Sequence, residues 1–172
     1  MQQHIKDEIK DSIRSFCLPR YEEIPDVGLY LEQVTKYISD HLSALEDITL
    51  TASMISNYVK KGLIANPVKK QYSREQIAYL FFIAVAKTVL SMDDIQLLFD
   101  LQKKVYTPQR AYDYFCLELE NVLFYVFGIK DTLDTVGVDA TDEKAMLRNS
   151  IITVAHKIYL DKCFSRLSSE RN

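Results

Sequence analysis

The chain has 172 residues, a net charge of −3, 48% hydrophobic and 26% charged residues, and only four Gly and four Pro. That balance excludes wholesale disorder, and the shortage of turn formers points to long regular elements rather than a many-stranded sheet. No apolar run approaches the length of a membrane span, and His4, Lys6, Asp7 and Glu8 stand where a secretory leader would be apolar, so the expected compartment is the cytoplasm.

Taken in chain order, Ile5, Ile9, Ile13 and Phe16 form one stripe of an amphipathic helix over 3–16. Pro19 and Pro25 bracket an irregular connector. A second helix is predicted from about Gly28 to Ser43, with Leu31, Val34, Ile38 and Leu42 inward. A short helix follows over Ala52–Lys61, capped by Thr49 or Thr51 and stopped by Gly62. Ala65-Asn-Pro-Val68 reads as a turn that lets Leu63-Ile64 pair with Gln71-Tyr72 as a minimal hairpin. Ser73 and Gln76 fit a capping box for a helix to about Val89, apolar nearly all round and so expected to be the central buried element. Ser91 with Asp94 opens another helix to about Lys104, and Thr107-Pro108 opens one that ends at Gly128. A loop over 130–140 leads to a last helix that begins after Thr141 and runs to about Leu167, with Leu147, Ile151, Val154 and Ile158 inward and the residues from Ser168 onward frayed.

The fold class is therefore all-α. Three segments are expected: an N-terminal helix and connector (1–27), a middle unit (28–104), and a C-terminal helical region (105–172) that completes the core.

Charge singles out the middle unit. Between Thr51 and Lys87 stand Lys60, Lys61, Lys69, Lys70, Arg74 and Lys87 against Glu75 alone, a net +5 that leaves −8 for the remainder. A positive island in an acidic chain can put one face on DNA and keep the rest away from it. On the helix before Gly62, Ser53, Ser56, Asn57 and Lys60 fall at i, i+3, i+4 and i+7, one face, opposite Ala52, Ile55, Val59 and Leu63. An Asn amide can pair with adenine in the major groove, and Ser or Lys can hold base edges or phosphates. Lys61, Lys69, Lys70 and Arg74 are assigned to phosphates, while Tyr58 and Tyr72 are expected to pack the hairpin onto the helix. The plainer account is a solvated helix with a polar face.

The run Met54-Ile-Ser-Asn-Tyr-Val-Lys-Lys-Gly-Leu-Ile64, with Pro67, Tyr72-Ser-Arg-Glu-Gln-Ile77, Leu80 and Ser91-Met-Asp-Asp-Ile95, resembles the DNA-binding part of MerR-type regulators over about 29–101. The resemblance implies a winged helix-turn-helix with a recognition helix and a one-hairpin wing. The chain departs from that pattern in Ser56, where those regulators usually carry Arg, in a shorter wing, and in a long 43–51 connector. As a whole, with Leu18-Pro-Arg-Tyr-Glu-Glu-Ile-Pro-Asp26 and Leu29-Tyr-Leu-Glu-Gln-Val34, it also resembles an uncharacterised bacterial family, the domain of unknown function DUF1836, which implies a helical protein of this length and no reaction.

The expected function is DNA binding in transcriptional control, with DNA as partner, a homodimer as the form that reads two half-sites, and an unidentified effector as a further possibility. A protein-interaction module on the same scaffold is the second reading, and a small-ligand-binding helical protein using Tyr112, Tyr114, Phe115, Phe124, Tyr125 and Phe127 the third. No catalytic residues, metal ligands or cofactor are expected. His4, His41 and His156 are dispersed, the cysteines (Cys17, Cys116, Cys163) have no ligand spacing and are expected to be reduced and structural, and Asp93-Asp94 sit at a helix start where they favour its dipole.

Overall fold

The computed structural model describes residues 2–169. Within them the chain forms α1 (Gln3–Ile13), β1 (Leu29–Tyr30), α2 (Leu31–Leu42), α3 (Ala52–Lys60), β2 (Gln71–Tyr72), α4 (Arg74–Ala86), α5 (Met92–Val105), α6 (Pro108–Val126) and α7 (Asp142–Ser169), with single 3₁₀ turns at Tyr21–Glu23 and Ser43–Leu45. The mostly helical expectation holds, and one two-stranded sheet is present, with a different strand partner from the one expected. The last helix continues through Ser169, two residues past its expected end, and the remaining expected fraying lies outside the described residues. Among the described residues, no helix is long and apolar enough to cross a membrane.

Capping chemistry sets most boundaries. Thr51, Ser73, Ser91 and Thr107 each accept the amide three residues on, and Ser73 and Gln76 satisfy one another reciprocally. At the end of α3, Leu63 N–H reaches the Tyr58 carbonyl and Gly62 N–H the Val59 carbonyl, a closure that needs the left-handed Gly62 (φ 76°).

The core is built around α4. Ile77, Leu80, Phe81 and Ile83 are fully shielded, and α4 packs against α2, α6 and α7. Phe81 meets Tyr37, His41 and Tyr112 at centroid distances of 5.9, 5.9 and 6.0 Å. Burying a side chain of that size contributes roughly 1.5–3 kcal/mol, so α4 anchors the molecule. α7 lies along α6 and also touches α1 and α5. Buried side chains from all three sequence segments, such as Ile9, Ile55 and Ile151, join one cluster.

Two local expectations are corrected. The helix of α4 ends at Ala86 rather than Val89, because beyond Lys87 the amides of Thr88 and Val89 bond the carbonyls of Val85 and Ala86, three residues back, in a tighter turn; the Lys87 ammonium donates to the Thr49 carbonyl at 2.5 Å. The hairpin partner is also different. Gln71-Tyr72 pairs antiparallel with Leu29-Tyr30, not with Leu63-Ile64, in the register Leu29↔Tyr72 and Tyr30↔Gln71. Gly28 admits this pairing: its φ is +73°, and a Cβ there would stand 3.1 Å from Gln71 Cβ.

Candidate nucleic-acid interface

Ile55 and Tyr58 of α3 are buried, which turns Ser53, Ser56, Asn57 and Lys60 to solvent together. Ser56 Oγ donates to the Ala52 carbonyl at 2.9 Å, so its proton is committed and only its lone pairs are offered outward. Ser53, Asn57, Lys60 and Lys61 are exposed and have no side-chain partner among the described residues.

The segment after α3 is held by Gln76, whose Nε2 donates to the Ala65 carbonyl at 2.8 Å from the first turn of α4. It leads into a two-residue reversal. Val68 and Gln71 exchange both backbone hydrogen bonds, at 3.1 and 2.9 Å, and the tip between them is Lys69-Lys70. Both lysines have positive φ, 50° and 66°. A tight hairpin of this kind normally takes Asn-Gly, since left-handed backbone costs a side chain with a Cβ roughly 1–2 kcal/mol. Here two unbranched cations occupy the strained positions and project into solvent, with no side-chain partner among the described residues. Val68 (75% exposed) and Tyr30 (52% exposed) flank them, an apolar pair the sequence reading passed over. Its signal, a two-residue strand before α2, is too short to leave a periodic trace.

Arg74 does not belong to this surface. Its guanidinium bonds Glu22 Oε2 at 2.5 Å and the Ile24 carbonyl at 2.9 Å, and it lies over the Tyr21 ring at 5.7 Å. The side chain is only 18% exposed, so the expected phosphate contact is replaced by a clamp on the 20–26 connector. The same connector is bound from its other side by α6. Arg20 grips Glu120 with two nitrogens at 2.8 and 2.6 Å, which holds the guanidinium pKa above its ordinary value, and Asp113 accepts the Tyr21 amide at 2.8 Å.

Lys87 is likewise withdrawn from the positive island. Burial holds its ammonium below the ordinary lysine pKa. Tyr58 and Tyr72 are 4% exposed each, and burial pushes both phenols up, so they face the core. The free cations are therefore Lys60, Lys61, Lys69 and Lys70. Cys17 is an exposed thiol rather than a structural one, whereas Cys116 and Cys163 are buried. Among the described residues, no cluster of three or more metal-ligating side chains occurs.

Residues 19–115, more than half of the chain, match the family described as Domain of unknown function (DUF1836). The chain belongs to this family. The matched stretch begins at the connector clamped by Arg20 and Arg74 and ends inside α6, so it contains the whole α2–α5 unit with the first part of its α6 support. No curated protein and no solved structure matches the chain. Membership in the DUF1836 family carries no activity with it.

Proposed function

We propose that α2, α3 and the Lys69-Lys70 turn, anchored by the β1–β2 pairing, act as a MerR-like winged helix-turn-helix that binds DNA in transcriptional control. The reading rests on one observation: Lys69 and Lys70 stand at an exposed turn in left-handed backbone that neither side chain favours. Strain kept at a solvent-facing tip, where Asn-Gly would relieve it, is most simply explained by a use for the two charges. In this arrangement α3 enters the major groove with Asn57 and Ser53 toward base edges, Ser56 accepting from a base or water, and Lys60 at its end. Lys61, Lys69 and Lys70 hold phosphates. The acidic remainder faces away, and a two-fold dimer in the cytoplasm reads two half-sites.

The test is binding of purified protein to genomic fragments, sequenced after selection at two salt concentrations. With three lysines per protomer on phosphates, log K should fall with log[salt] at a slope of about −3 per protomer. No enrichment of any fragment at low salt would remove the proposal.

A second reading has its own support. Val68 and Tyr30 expose apolar surface beside the lysine turn, which also suits an acidic protein segment with an apolar anchor. That reading predicts saturable capture by the protein partner and no dependence on DNA sequence.

A further inference from the structure

A hollow of about 510 Å³ lies between the ends of α5, α6 and α7 and the 136–139 loop. Its volume falls within the range that small-molecule sites occupy, roughly 300–1,000 Å³. Ala111, Leu117, Val136 and Leu147 supply apolar wall, and Tyr106 and Tyr114 supply rings.

Two side chains of this wall, Gln102 and Tyr114, each carry a polar atom that has no partner and is shielded from the open space of the hollow. Gln102 is 7% exposed, and its Nε2 donates to the Glu143 carbonyl at 2.6 Å. That bond fixes the amide orientation, because a carbonyl must face the NH₂ end. The other end, Oε1, is buried and unbonded, and so is the Tyr114 hydroxyl. A buried acceptor left without a donor costs about 1–3 kcal/mol, so the site is incomplete as it stands.

The charges on the wall decide what completes it. Arg110 and Lys144 are matched by Asp113 and Asp139. Asp139 is engaged by Tyr106 Oη, by Arg110 at 3.5 Å and by Lys144 at 3.6 Å, and Asp113 accepts the Tyr21 amide. The hydrogen bond from Tyr106 leads the contributions that hold the Asp139 carboxyl below its ordinary value. An anion would have to separate Asp139 from its cations, and a cation would meet Arg110 and Lys144. Neither is favoured.

We propose that this hollow binds an uncharged small molecule with an apolar, ring-like body and an N–H or O–H group, a small shift of the wall side chains uncovering Gln102 Oε1 for the donor and the Tyr114 hydroxyl beside it. The site stands apart from the lysine turn and does not depend on DNA binding. It also neighbours the start of α7, so occupancy would bear on the helix that runs along α6.

Phenol and toluene are the probes, nearly equal in shape and differing in the donor. Each is titrated at millimolar concentration into full-length protein carrying ¹³C-labelled Leu and Val methyls. The expected result is perturbation centred on Leu147 and Val136, with phenol bound about fivefold more tightly than toluene, the equivalent of one net hydrogen bond. Gln102→Leu should remove most of the phenol preference over toluene and leave toluene unchanged, the methyl spectrum of the unliganded variant reporting its fold. Tyr114→Phe, which removes only an unbonded hydroxyl, should lower phenol affinity by a smaller factor in a folded protein. Equal binding of the two probes, perturbation centred elsewhere, no perturbation at all, or phenol binding indifferent to Gln102 would each overturn the assignment. Equal binding would indicate that an ordered water already serves Gln102.

Discussion

Lys162 of α7, 3% exposed, donates to Glu46 Oε1 at 2.7 Å across 116 residues of chain. Glu46 lies between the 3₁₀ turn at Ser43–Leu45 and α3, with φ 54° and ψ −76°, a rare and strained γ-turn conformation. Arg166, one turn further along α7, bonds the same oxygen at 3.3 Å. The C-terminal helix therefore holds the strained joint that precedes the proposed recognition helix.

The two halves of this pair should not be equivalent. Glu46→Ala leaves a buried ammonium without its carboxylate, and we expect a loss of about 3 kcal/mol. Lys162→Met removes the charge and fills the same space, while Glu46 keeps Arg166 and water. It should change stability by less than about 1 kcal/mol. Urea unfolding of both variants checks the asymmetry, and equal losses would contradict it.

The same pair gives a pH dependence. The hydrogen bond from Lys162 leads the effects that hold the Glu46 carboxyl below its ordinary 4.5, against partial burial, which raises it. A carboxyl depressed by folding contributes stability above its unfolded pKa and loses it as pH falls through the folded value. Its contribution is thus complete at neutral pH and declines below 4.5. Acid titration of stability should show a shallower decline in that window for Lys162→Met than for the unaltered protein.

Stability and binding should separate at the lysine turn. Replacing Lys69 by Asn and Lys70 by Gly relieves left-handed strain, and we expect a gain of about 1 kcal/mol in stability. The same double substitution should weaken DNA binding at all sequences and reduce the salt slope by about 2. A variant both more stable and unimpaired in binding would show that the two charges have no role on DNA.

Arg74→Ala should do the reverse. Loss of its bonds to Glu22 and Ile24 and of its stacking on Tyr21 should lower stability by about 1–2 kcal/mol. The salt slope should not move, because that guanidinium is already committed within the protein.

Asn57→Ala tests base reading rather than charge. Its expected effect is a loss of about 1–3 kcal/mol of discrimination at one or two positions of the bound site, with the salt slope intact. Selection of fragments by the variant and by the unaltered protein, compared side by side, measures it.

Helix order was readable before any coordinates. Apolar residues recur with the helical period, Thr51, Ser73, Ser91 and Thr107 announce helix starts within three residues of their partners, and Gly62 and Gly128 announce ends. These are short-range effects, and the outward direction of Ser53, Asn57 and Lys60 follows from them. Pairing is another matter. Gln71-Tyr72 had a nearby candidate in Leu63-Ile64 and a remote one in Leu29-Tyr30, and a two-residue strand has no pattern with which to choose.

The same holds for the cations. As letters, Arg74 and Lys87 look no different from Lys69 and Lys70. Arg74 is occupied by Glu22 and Ile24, fifty or more residues away, and Lys87 by the carbonyl of Thr49. Local chemistry along the chain settled which stretches coil and which face of each is oily. Packing alone settled which charges stay free, which strand meets which, and where a buried amide is left unanswered, because partners distant in the chain meet only once the core has formed.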